Sequence, residues 1–475
     1  MVCLFLFLPM VLSAQQFAFD TRTREAYERV LDLQVESTHN MIPNPQTPQE
    51  LYVVSLAEAL ELLITENPRN FSAYETNFEK RISRKSRKDN VDDLALLAEL
   101  NLQWTFVYLK FGKEIDAALR LRQAYISAQE VQKRFPDYEP ILKTAGLLNV
   151  MIGSVPDKYN WILGLLGMEG SVNTGLSQLK KLGGTNHPFA FESTLWHAFT
   201  TGFMLQQPEK AIMEMEYVLT IRPDNPLALF MMANFNMKNG SSEEALKYLR
   251  PELASSIVYT SYLRGEVFLH KAEYRQAVHE YSTFLQHFRG QNYIKDAHYK
   301  IGLCYWLDGK QEEAIIAFRE AESNGKEVTE ADKHAAKNLA SSELPSIPLT
   351  RARFFTDGGY YKEAEEIFNA LDPASLRVKK HQVEYYYRKA RLYHRLARNE
   401  EARENYLKTI SMTGDEEWYF APNACLQLGY MLTALGQTAE ARRYFEHALS
   451  YKKHEYKNSI DSKARSALAQ LKDLK

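Results

Sequence analysis

Apolar residues recur three and four positions apart in short segments separated by Gly, Pro and Asn turns, which is the period of helices that bury one face. The clearest stretch is Ala297 to Ala321, where Gly302 and Tyr305 precede a turn at Gly309 and Ala314, Phe318 and Ala321 follow it. The spacing predicts two short helices folded against each other. Gly302 lets the facing helix approach, Tyr305 fills the space beside it, and Gly309 ends the first helix where a left-handed residue is needed. Ala314 and Phe318 supply the small and large halves of the returning contact. The same signature opens a second helix at Ala211, Ala245, Ala277, Ala314, Ala364, Ala402 and Ala441, at intervals of 34, 32, 37, 50, 38 and 39 residues. A large residue stands four positions after each, at Met215, Leu249, Tyr281, Phe318, Phe368, Tyr406 and Phe445. The 50-residue interval holds an additional helix, Thr329 to Ser342.

Before His187 the pattern is less regular. Asp20 to Gln34 has helical spacing, and Thr47-Pro48-Gln49-Glu50 is a capping box with Pro at the first helical position, opening a helix to about Glu66. Pro68 to Lys88 reads as a further helix ending in the basic run Lys80, Arg81, Arg84, Lys85, Arg87 and Lys88, which suits a solvated helix end or an anionic head group. Leu94 to Ala124 carries one repeat-like pair, with Tyr108, Gly112, Ala117, Leu121 and Ala124, and helical spacing continues to Arg134. Residues 156–168 form an apolar insert around Trp161, Ile162, Leu165 and Leu166. Glu455 to Leu474 is amphipathic, as a terminal capping helix should be.

The signature resembles the 34-residue tetratricopeptide repeat. The resemblance implies an all-α helical-hairpin solenoid. Its expected parts are an N-terminal helical region (15–186), about seven repeats (187–454) and a capping helix (455–475). Phe135-Pro136, Gly146, Pro156, Leu165-Leu166-Gly167, Gly175-Leu176 and His187-Pro188 are similar in order to the tetratricopeptide repeat protein 39 and yeast inclusion-body-clearance family. This chain has Ser154-Val155-Pro156 and Gly167-Met168-Glu169-Gly170 where that family has its Leu-rich segment and Gly turn. Exported bacterial tetratricopeptide proteins are the broader likeness.

Counting each opening Ala as position 20, the resemblance implies a ligand groove lined by positions 2, 5, 9 and 12 of the first helices. Position 5 is aromatic in five of seven repeats: Trp196, Phe230, Tyr262, Tyr299 and Tyr387. Positions 9 and 12 add Trp306, Arg353, Arg391 and Tyr430. These nine are the expected partner-binding residues. Aromatics at helical spacing are also what a core requires, so both readings stand at this point. The Lys and Asn pair of chaperone-binding relatives is missing, with only Asn234 in place.

Composition narrows the function. A net charge of -2 supplies no field to gather nucleic acid, so no nucleic-acid partner is expected. The 28 Tyr and 24 Phe exceed what an ordinary core needs and direct attention to aromatic contacts. The opening run MVCLFLFLPMVLSAQQ has the apolar core and small-residue end of a signal peptide (1–14) and is shorter than the ~20 residues that span a bilayer. It implies an exported protein, periplasmic, outer-membrane-associated or secreted. Cys304 and Cys425 lie in different repeats, too distant for a disulfide, and read as small buried residues. No metal helix, nucleophile turn, Cys-x-x-Cys pair or phosphate loop occurs, so no catalytic residue, metal or cofactor is expected. The resulting expectation is a non-enzymatic scaffold binding a protein or peptide segment. The alternatives are an envelope lipid-associated protein using insert 156–168, with peripheral membrane contact, and an enzyme with a dispersed site.

Overall fold

Several helices of the first half of the chain begin where a side chain satisfies an orphan backbone donor. In the computed structural model, which describes residues 17–84, 90–155, 163–164, 166–341 and 343–473, the Thr47 hydroxyl accepts from the Glu50 amide at 3.2 Å. The Glu50 carboxylate accepts from the Thr47 amide at 3.1 Å, closing the expected capping box. No strand occurs among the described residues. The chain divides into two units, Met1–Gly153 with Trp161–His197, and Ser154–Asn160 with Ala198–Lys475.

Unit 1 contains α1 (Thr21–Leu31), α2 (Val35–Met41), α3 (Pro48–Thr65), α4 (Pro68–Ile82), α5 (Val91–Lys110), α6 (Glu114–Arg134), α7 (Ile141–Gly153) and α8 (Val172–Gly183). The boundary with unit 2 falls inside α9 (Ala190–Phe199). The repeat-like pair is α5 and α6, and α6 runs without a break to Arg134. The helix expected to reach Lys88 ends at Ile82; residues 85–89 lie outside the described residues, as do the signal segment 1–14 and Trp161, Ile162 and Leu165 of the insert. Gly146 and Gly175 of the family-like motif meet where α7 crosses α8, with a Cβ on Gly146 falling 2.9 Å from the Gly175 carbonyl oxygen.

A buried ionic cluster ties this unit together. Glu192 on α9 accepts from the hydroxyls of Tyr27 and Tyr52 at 2.5 Å each, and Lys143 bridges Glu192 and Glu99 at 3.1 Å each. Burial works against the Lys143 ammonium, but the two carboxylates outweigh it and leave the lysine more basic than usual. Removing one partner from such a group strands a charge.

Unit 2 repeats one motif. In this unit α10 (Pro208–Ile221) packs on the π-helical turn Thr200–Met204, and hairpins pair α11 (Pro226–Lys238) with α12 (Ser242–Tyr248), α13 (Tyr259–His270) with α14 (Tyr274–His287), and α15 (Ile294–Leu307) with α16 (Gln311–Ser323). After the inserted α17 (Glu330–Leu339) come α18 (Ile347–Gly358) with α19 (Tyr361–Ala370), α20 (Lys379–Arg395) with α21 (Asn399–Thr413), and α22 (Phe420–Ala434) with α23 (Thr438–Ser450). Then α24 (Lys457–Asp473) caps the array.

Inside each hairpin a small residue at position 8 faces the large residue at position 24. A Cβ added to Gly302 would stand 2.5 Å from the Phe318 ring, and one on Gly265 2.7 Å from the Tyr281 ring; Gly429 faces Phe445 in the same way. Elsewhere the position is Ala233, Ala352 or Ala390, all fully buried. The first repeat differs because position 8 is Phe199. There a π-helical turn, Thr200–Met204, brings Gly202 against Ala211 and Phe235. Every turn then uses one left-handed residue five positions before the Ala: Gln206, Gly240, Ala272, Gly309, Gly359, Ala397 and Gly436.

The solenoid curls on itself. Arg395 of α20 donates to the carbonyls of Lys238 and Asn239 at the end of α11, at 3.3 and 3.4 Å. The turn glycines Gly240 and Gly359, three repeats apart, abut so closely that no Cβ fits on Gly359. The inserted α17 reaches the cap, where Lys337 pairs with Glu455 at 2.7 Å.

These contacts set opposite signs for two substitutions. Gly302→Ala gains ~1 kcal/mol of helix propensity but overpacks against a ring that is itself confined, for a net loss of ~1 to 2 kcal/mol. Ala272→Gly relieves a left-handed alanine and should gain ~1 kcal/mol. Denaturant midpoints of the two variants check both signs.

Candidate functional site

The first helices of the repeats turn a polar face toward one another. On α13 and α15, the Lys300 ammonium donates to Glu266 at 2.6 Å and to Asp296 at 2.8 Å, and the Tyr262 hydroxyl donates to Asp296 at 2.5 Å. Burial opposes the Lys300 charge, yet Asp296 and Glu266 prevail and hold it protonated. Further along, Arg391 pairs with Asp357 at 3.6 Å, while Arg388 binds Glu384 at 3.0 Å and donates to the Tyr419 hydroxyl at 2.7 Å. Positions 2, 6, 9 and 13 supply this belt.

Beside the belt is a cavity of about 80 Å³ between α15, α17, α18, α20 and α22. Tyr299, Leu303 and Phe420 give it apolar walls; Arg353, Lys380 and Arg388 line it with cations, and Glu343, Glu384 and Glu455 with carboxylates, of which Glu455 is held by Lys337. Arg388 is matched by Glu384. Arg353 and Lys380 make neither an ion pair nor a hydrogen bond among the described residues, although Arg353 also lies 4.3 Å from the Phe354 ring centre. The local field registers on His334, whose Nε2 accepts from the Asn338 amide at 2.9 Å. Burial first, then Arg353, Lys300, Arg388 and Lys380, push this imidazole down to about 3, so it stays neutral at ordinary pH. No group of three metal-ligating side chains occurs among the described residues, and Cys304 and Cys425 are buried and unbridged. No helix among the described residues is long and apolar enough to cross a membrane.

Residues 262–327 match one family model described as a tetratricopeptide repeat, and residues 383–415 and 422–455 match another of the same description. The chain is a tetratricopeptide repeat protein. No curated protein sequence matches it. Among solved structures, a tetratricopeptide repeat protein from Parabacteroides merdae is 19% identical, with 59% of this chain and 99% of that one covered at a TM-score of 0.27. An IFIT1 monomeric mutant with Gppp-AAAA is 16% identical, with 91% and 96% covered and a TM-score of 0.35. The human IFIT1 dimer with PPP-AAAA is likewise 16% identical, with 91% and 95% covered and a TM-score of 0.33.

In this tetratricopeptide repeat protein the expected aromatic wall separates into two groups. Tyr262, Tyr299 and Tyr387 are 5%, 5% and 0% exposed, and their rings pack on Tyr281, Phe318 and Tyr406 at 5.8, 5.6 and 6.5 Å. These three are hairpin core, with Tyr299 also edging the cavity. The reason is angular: ~100° of helix rotation separates position 5, turned to its own hairpin partner, from position 6, turned to the belt. Trp196, stacked on Phe106 at 5.2 Å, belongs to unit 1. Phe230, Trp306, Arg353, Arg391 and Tyr430 are half-buried; the Trp306 indole donates to the Pro345 carbonyl at 2.9 Å, and Tyr430 packs on Phe445 at 5.4 Å. Of the nine, the cavity gathers Tyr299 and Arg353. Sequence reasoning missed Lys380, Arg388 and His334. A cation one position after the position-5 aromatic, as at Lys300 and Arg388, was the available signal.

Two half-buried histidines give the repeat protein a pH dependence. His334 sits at about 3 and His394 at about 4, the latter through burial and then Arg391 and Arg395, against an ordinary value of 6.5. Each binds its proton more weakly folded than unfolded. Their contribution is therefore complete above pH 6.5 and lost as pH falls through the folded values. His334→Gln should flatten the decline of the melting temperature between pH 6.5 and 4, which thermal scans of wild type and variant at matched ionic strength would measure.

Proposed function

We propose that this protein is a non-enzymatic scaffold of the cell envelope whose repeat unit binds an extended acidic segment of a partner protein. Tetratricopeptide repeat proteins commonly bind protein or peptide partners and are generally non-enzymatic. The observation that carries the finer reading is the pair of unmatched cations, Arg353 and Lys380, in a cavity walled by Tyr299, Leu303 and Phe420. A carboxylate there would meet two cations that make no ion pair among the described residues, and an apolar neighbour on the same segment would cover the aromatic wall. The cavity suits one acidic group. The polar belt offers the rest of an extended backbone hydrogen-bonding side chains along the first helices.

The envelope location rests on the opening apolar run and its small-residue end. Processing there would give a mature chain beginning near Gln15. Mass spectrometry of the protein isolated from its native cell decides this, and a retained Met1 in a cytoplasmic fraction would sink the localisation.

Binding is testable with a fluorescent array of acidic peptides and their amide counterparts. Peptides joining an Asp, Glu or terminal carboxylate to an apolar neighbour should bind saturably, and their neutral counterparts should not. Arg353→Ala should weaken binding by ~1 to 3 kcal/mol with helical content unchanged. The His334 ring should also titrate nearer its ordinary value in the complex, because a bound carboxylate offsets the cations that depress it. Saturable binding indifferent to Arg353 and silent at His334 would remove the cavity from the account.

A further inference from the structure

We propose a second ligand site, in unit 1, for a small amphiphilic carboxylate: one carboxylate on an apolar chain or ring. A cavity of about 820 Å³ opens between the segment joining α2 to α3, one face of α3 and the end of α4. That volume lies within the ~300 to 1,000 Å³ of ordinary small-molecule sites. Its apolar floor is Ile42, Leu51 and Val54, and Pro43 and Pro45 stiffen the wall beside them.

The charges at this cavity fall into two kinds. Glu58, 2% exposed, is held by Arg81 through two bonds of 2.5 and 2.8 Å and accepts from Asn77 at 2.9 Å, so that pair is internally neutral. Lys80 and Arg84, one turn apart on the rim, have no carboxylate partner among the described residues. Arg84 donates one N–H to the Gln46 carbonyl at 2.6 Å, which fixes the guanidinium at the mouth and leaves its other donors for a ligand. An excess of two positive charges over an apolar floor calls for a molecule with both characters. An inorganic anion would gain nothing from Ile42 and Val54, and a neutral hydrocarbon nothing from Arg84. A concave site with cations at one edge fits a single inserted molecule better than a flat bilayer. The basic run of the sequence thus divides: Arg81 is structural, and Lys80 and Arg84 face the cavity.

The site shares no residue with the peptide cavity of unit 2, so each reading can fail alone. Calorimetric titration of the full chain with decanoate below its micellar concentration should show one saturable site per chain. Decanol and acetate should bind at least about tenfold more weakly. Lys80→Ala and Arg84→Ala, both at exposed positions, should each weaken decanoate about tenfold with an unchanged circular dichroism spectrum, and Arg353→Ala should leave it unaltered. Equal binding of decanol and decanoate overturns the proposal, as does full affinity in the double variant. Retention on phosphatidylglycerol vesicles without binding of monomeric decanoate overturns it too, in favour of a membrane surface.

Discussion

Everything in the repeat unit depends on one contact, the small residue at position 8 against the large residue at position 24 of the same hairpin. It sets how near two helices lie, and from that distance follow the tilt between hairpins and the curl of the array. Where Gly302 or Gly265 stands, the ring opposite occupies the space a Cβ would need. Where Ala352 or Ala390 stands, a methyl fills part of that gap. The first repeat carries Phe199 instead, and a π-helical turn supplies Gly202 three residues later. There the close approach is made to Ala211 and Phe235 instead of to Met215 at position 24.

Because position 8 and position 24 must meet, the faces of each first helix are assigned. Position 5 turns toward the same partner helix and becomes core, as Tyr299 on Phe318 illustrates. The neighbouring face carries Asp296, Lys300, Glu384 and Arg388, polar groups that would be costly inside the hairpin and are paired along the belt. The cavity is thus a remainder: it lies where Arg353 and Lys380 stand beside the belt without an ion-pair partner among the described residues.

Hairpin geometry was legible in the sequence because it is local. Gly309, Ala314 and Phe318 fall within sixteen residues of Gly302, and their spacing alone implies a facing pair. The same holds for the Thr47 to Glu50 box and for Thr329, which caps the inserted helix. The cavity was not legible in this way. Its walls come from Tyr299, His334, Arg353, Lys380 and Phe420, more than a hundred residues from first to last, and their convergence is fixed by the curl and the inserted helix rather than by any spacing. A stripe count does not separate core from groove across one residue of rotation, and burial places Tyr262 and Tyr387 in the core. The ionic cluster of unit 1 was hidden for a similar reason, since Tyr27, Tyr52, Lys143 and Glu192 share no motif.

The meeting of Gly240 with Gly359 has a consequence for how such a chain can change over time. In a simple array each hairpin touches only its neighbours, so a duplicated or deleted hairpin lengthens or shortens the stack without disturbing the others. Here an added hairpin between those two turns would carry Gly359 away from Gly240 and Arg395 away from the end of α11, exposing backbone that is now covered on both sides. The count of hairpins in that interval is therefore a structural constant, and sequence drift in this segment is confined to substitution while loops outside it remain free to grow.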